Sequence, residues 1–79
     1  MSEKENKTVD NLKKVRDHLV KLRNEAAEQA GPFIDSRNEH SASGRMNEVV
    51  AMQEKIEVVD RAIADAEKSG YTYGILNNL

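Results

Sequence analysis

Apolar residues recur along the chain at two helical stripes separated by a polar stretch. From Thr8, a suitable N-cap, Val9, Leu12, Val15, Leu19, Leu22 and Ala26 follow one another at steps of three and four as far as Ala30. That spacing places them on one face of an amphipathic helix, predicted over about residues 8–30. Gly31-Pro32 then reads as a stop, because glycine suits the left-handed position after a last turn and proline cannot continue the hydrogen-bond ladder. A second stripe, Val49, Met52, Ile56, Val59, Ile63 and Ala66, keeps an unbroken four-three spacing and predicts a helix over about 45–68, capped by Ser41 or Ser43 and closed by Gly70. The connection 31–44 is expected to dock through Phe33 and Ile34 and to be mobile over the small polar run that follows. Residues 1–7 show no apolar period and are expected to form a solvated arm or a frayed turn.

The two stripes define an all-α fold, an antiparallel helical hairpin occupying the single domain 1–79. With Leu12 and Val49 at heptad position a, helix one carries Arg16 and Arg23 at e and Glu25 at g, while helix two carries Asp60 and Glu67 at e and Lys55 at g. Antiparallel pairing sets e against e and g against g, so Arg16 and Arg23 are expected to meet Asp60 and Glu67, and Glu25 to meet Lys55. Such exposed pairs contribute only about 0.2–1 kcal/mol each and select orientation more than they stabilise. The implied layers are Leu12 on Ala66, Val15 on Ile63, Leu19 on Val59, Leu22 on Ile56 and Ala26 on Met52. Val20, Ala27, Val50, Val58 and Ala62 widen the stripes beyond what two helices cover, and a homodimeric four-helix bundle is the simplest way to bury them. Val20, Val50 and Val58 are therefore expected at an interface.

Composition strengthens the case for assembly. Charged side chains make up 33% of the 79 residues and outnumber the large apolar ones. A lone core of this size rarely supplies more than about 3–5 kcal/mol. There is no cysteine, which removes both a disulfide framework and a thiolate metal site. The charged first residues lack the apolar core of a signal peptide, and no run approaches a membrane span, so a cytoplasmic protein is expected. Asn6-Lys7-Thr8 matches a glycosylation sequon, read here as a chance match. A net charge of −2 argues against a general nucleic-acid binder, and Lys13, Lys14, Arg16, Lys21 and Arg23 read as a solvated face with no interleaved aromatic residue.

Catalytic and metal-binding patterns are missing. Val15 and Arg37 stand three residues before His18 and His40, where a bundle di-metal site places glutamate. Asp35-Ser-Arg37-Asn-Glu39 has arginine where a calcium loop needs an oxygen ligand. Ser41 and Ser43 near His40 fall short of a pre-organised nucleophile, and the glycines form no phosphate loop. The expectation is a non-enzymatic chain with no cofactor and no metal.

Two segments remain as candidate contacts. Ser41, Ser43 and Arg45 lead into the expected second helix, where free N–H groups and the positive dipole end favour an anion; the plainer reading is a serine cap and a solvated arginine. Ser69 to Leu79 carries no charged side chain and holds both tyrosines. Tyr71, Tyr73 and Ile75 alternate as in a strand, while Ile75, Leu76 and Leu79 fit one helical turn; the segment either covers the hairpin's own stripe or serves recognition.

In size, acidity and lack of catalytic clusters the chain resembles the small accessory proteins of bacteriophages and prophages, which implies a regulator or inhibitor acting by protein–protein binding. Arg16-Asp17, Ser43-Gly-Arg45 and Arg61-Ala-Ile-Ala64, spread over about half the chain, resemble the phage anti-CBASS sponges, helical-hairpin oligomers that sequester cyclic nucleotides. That resemblance implies an alternative role in binding a phosphate ligand, with Ser41, Ser43 and Arg45 serving phosphate and Tyr71 or Tyr73 stacking on a base.

Overall fold

The computed structural model describes the backbone of residues 3–77 and the side chains of residues 7–68. Two helices, α1 (Glu3–Asp35) and α2 (Glu39–Asn77), pack against each other as a hairpin with extents of 63 × 17 × 11 Å. Among the described residues the buried side chains are Ala26, Ala30, Ala42, Ile56 and Ile63, and no large side chain is fully enclosed. The radius of gyration, 18.1 Å, is well above the about 12 Å of a compact chain of this length.

Both helices run further than the apolar stripes alone predicted. α1 continues through Gly31-Pro32 for one more turn, with the Ser36 amide donating to the Pro32 carbonyl at 3.0 Å. An interior proline costs about 3 kcal/mol. What offsets it is the seam itself, since Ala26, Ala30 and Phe33 continue the steps of four and three, and Ala26 and Ala30 are buried. α2 begins at Glu39 rather than near 45, because Ala42 lies seven residues before Val49 and extends the a positions of Ile56 and Ile63 by two heptads; it too is buried. Ser41 and Ser43 are thus helical residues and not caps, and α2 passes Gly70 without stopping. Thr8 lies inside α1.

The connection shrinks to Ser36, Arg37 and Asn38. The Asn38 amide donates to the Phe33 carbonyl at 2.8 Å and the Arg37 amide to the Ile34 carbonyl at 3.1 Å, which is the Schellman pattern with Arg37 in the left-handed position at φ 60°. A non-glycine residue there costs about 1–2 kcal/mol, so the glycine signal pointed to the wrong place. Asn38 also caps α2, its Oδ1 accepting from the Ser41 amide at 3.3 Å, with acidic Glu39 following at the positive end of the helix dipole.

The glycines displaced from the expected loop give a direct check on these boundaries. A Cβ on Gly31 or Gly44 would meet nothing within 4 Å, and neither backbone has positive φ. Gly31→Ala and Gly44→Ala should each stabilise the helices by about 0.5–1 kcal/mol. The double variant should melt several degrees above the parent, as expected at about 4–8 °C per kcal/mol for a small domain. Unchanged melting by circular dichroism would place the two residues outside helix.

Candidate functional site: the flanks of the hairpin

The inward face of α1 is not the one its heptads suggested. Leu12, Arg16, Leu19, Arg23, Ala26, Ala30 and Phe33 form a partly or fully buried series alternating a with e, while of the d residues Leu22 is partly buried and Val15 is 47% exposed. α1 is rotated toward its e edge. This turns Arg16 and Arg23 into the seam, where their stems cover apolar surface and their guanidiniums reach α2. Arg16 Nη1 approaches Asp60 Oδ1 at 3.9 Å, and Arg23 Nη1 donates to Gln53 Oε1 at 2.9 Å. Both pairs are equidistant in sequence from Asn38, as an antiparallel register about that residue requires.

The expected charge pairing is thereby met at Arg16 and Asp60 and altered elsewhere. Arg23 bonds Gln53 and Asn24 rather than an acid, and Glu25 and Lys55 form no ion pair, because rotating α1 toward its e edge withdraws the g edge from α2. On α2 the seam does follow a and d, with Ala42, Ile56 and Ile63 buried and Val49, Met52, Val59 and Ala66 partly so.

The expected interface residues fall on two different flanks. Val20 lies one turn from both Arg16 and Arg23, and Val50 one turn from Gln53, so both belong to the flank of the cross-helix polar pairs. Val50 is 55% exposed. Val58, 56% exposed, is two positions from Asp60 and faces the other flank. Composition had not pointed to Met46, 50% exposed, or Ile34, 54% exposed, as surface-forming residues. Met46 is one turn from Val50, and Ile34 follows Val20 and Ala27 at intervals of seven. The signal of Ile34 is masked by its assignment to the connection, whereas Met46 lies inside the predicted second helix but outside its widened stripe.

Beside the turn, Phe33, Ile34, Ala42, Ser43 and Met46 line an open groove of about 280 Å³ with Arg37 and Glu39 at its rim. A second open hollow of about 260 Å³ lies on the opposite flank among Leu22, Glu25, Gln29, Arg45, Glu48 and Met52. Arg45 Nη1 is engaged there by both Glu48 oxygens, at 2.9 and 3.1 Å.

The Ser41, Ser43 and Arg45 group does not converge. Ser41 and Arg45 are one turn apart on one flank, whereas Ser43 opens into the groove on the other. The free N–H groups of α2 belong to its true start at Glu39, where a carboxylate already stands, and Glu48 beside Arg45 opposes a second anion. The side chains of Tyr71, Tyr73, Ile75, Leu76 and Leu79 lie outside the described residues. His18 and His40 are exposed, and no group of three or more potential metal ligands occurs among the described residues. No described helix is long and apolar enough to cross a membrane.

The chain is thus an all-α two-helix hairpin. Comparison with protein families, with characterised proteins and with solved structures finds no match to it.

Proposed function

We propose that this chain is a non-enzymatic interaction protein that works as a homo-oligomer of helical hairpins and acts by protein–protein binding, as a small regulator or inhibitor does. The observation that carries this reading is the mismatch between core and surface. Three alanines and two isoleucines form the buried set, while Val15, Ile34, Met46, Val50 and Val58 stand about half exposed. Apolar side chains arranged this way along an elongated hairpin supply helical docking faces. With two flanks available, one can be used for self-association and the other for a different protein.

The protein should sediment as a dimer or larger species at micromolar concentration, and its Tm should rise with protein concentration, by mass action on the folded assembly. A compact monomer of 8.9 kDa with a concentration-independent Tm would overturn the assembly. The alternative, a sponge for a cyclic nucleotide, is separated by the same melts. A cyclic dinucleotide that raises Tm would favour the sponge over the protein-docking role.

A further inference from the structure

We infer that the flank carrying Ile34, Met46 and Val50 is the self-association face, and that it seats a second copy of this chain with its turn at the same end, about a two-fold axis parallel to the helices. The inference rests on the homo-oligomeric reading above and adds to it the face and the symmetry.

Of three observations, two point to this flank and one, area, points to a second copy as its occupant. The first is apolar clustering near the turn, where Ile34, Met46 and Val50 are each about half exposed and the groove beneath Ile34 and Met46 is open. At about 280 Å³ that groove is a socket for side chains, below the ~300–1,000 Å³ typical of ligand pockets. Further along the flank, beyond the groove, the polar groups of the seam are already engaged, Arg23 with Gln53 and Asn24, and Gln53 with Glu57 at 3.2 Å. Covering them leaves few unmet hydrogen bonds.

The second observation is area. Two separate hairpins expose twice 6171 Å². A compact body of twice the 8.9 kDa mass would expose about 8,000 Å². The difference, roughly 4,300 Å², is the upper limit set by full collapse, and the ~1,200–2,000 Å² of a standard interface through one flank fits within it.

The third is charge. Toward the open end of the hairpin the same flank carries Lys13 and Arg16 on α1, the latter also bonded to Asp17 at 3.2 Å, and Glu57, Asp60 and Glu67 on α2. A two-fold axis parallel to the helices sets α1 of one copy antiparallel against α2 of the other at equal height. The apolar half then covers its own equivalent, and the cationic half of α1 faces the acidic half of α2. An axis perpendicular to the helices would instead lay α1 on the reversed α1 of the second copy, with Ile34 against the cationic end. Electrostatic complementarity selects the first arrangement.

The test uses the full-length chain. Val50→Glu and Met46→Glu should lose the dimer at micromolar concentration by sedimentation or, where the hairpin depends on its neighbour, lose Tm and helical signal. Val58→Glu, equally exposed on the other flank, should keep both. Dimers that survive Val50→Glu and Met46→Glu as well as Val58→Glu would overturn the face while leaving the homo-oligomer intact, whereas a monomeric parent would overturn the oligomer itself. Orientation is read separately from a spin label on Ser36→Cys in this otherwise cysteine-free chain. Turns at one end, on helices packed about 10 Å apart, give a short label distance. A distance approaching the 63 Å hairpin length would overturn the parallel axis.

Discussion

Ile56→Asp should abolish the folded hairpin. Ile56 is 5% exposed at the middle of the α2 seam and is one of the two large side chains among the described buried residues. Removing its apolar volume alone costs about 2–5 kcal/mol, and placing a carboxylate in its position adds a desolvation cost. A core of this size supplies only about 3–5 kcal/mol in total, so the loss exceeds what the fold can absorb. Asp60→Lys, one turn along the same helix, removes only a half-exposed contact with Arg16 at 3.9 Å and should cost less than about 1 kcal/mol. Far-UV circular dichroism at 25 °C distinguishes the two: helical signal lost for Ile56→Asp and retained for Asp60→Lys. Equal losses would show that the seam is misplaced.

Ala30→Leu should be the next most damaging change, although it adds apolar surface. Ala30 is 4% exposed at an e position of α1, with buried Ala26 one turn before it. Small side chains there let the helix axes approach, and interaxial distance is set by the residues at the contact. A leucine has to push α1 away from α2 or adopt a strained rotamer, at a cost of about 1–3 kcal/mol. The expected fall in Tm is about 4 °C or more. The same substitution at Ala27, which is exposed, should leave Tm within a few degrees of the parent. If α1 instead faced inward with a and d, Ala30→Leu would be tolerated and Val15→Ala would be the costly change, so the two substitutions also report on the rotation of α1.

That rotation marks the boundary between what local pattern determined and what packing decided. The existence of two amphipathic helices, their antiparallel pairing and the a and d seam of α2 follow from the spacing of Val49, Met52, Ile56, Val59 and Ile63, because a period of 3.6 residues admits only one buried face. The contact between Arg16 and Asp60 was likewise legible, since heptad position and charge sign are both sequence properties. The helix ends were not legible. Gly31, Pro32, Ser41, Ser43 and Gly44 carry local preferences for a stop and a loop, and these amount to about 1–3 kcal/mol each at most. Burial of Ala30 and Ala42 across the seam, with Phe33 partly covered, outweighed those preferences and shortened the connection to three residues. The signal that could have revealed this was the seven-residue step from Ala42 to Val49, hidden because alanine is a weak marker of burial. The choice of e over d on α1, and with it the exposure of Val15, depended on how close two particular helices come and where two arginines find partners on the opposite helix. Those are distances between residues far apart in the chain, which no local period encodes and only the packed hairpin determines.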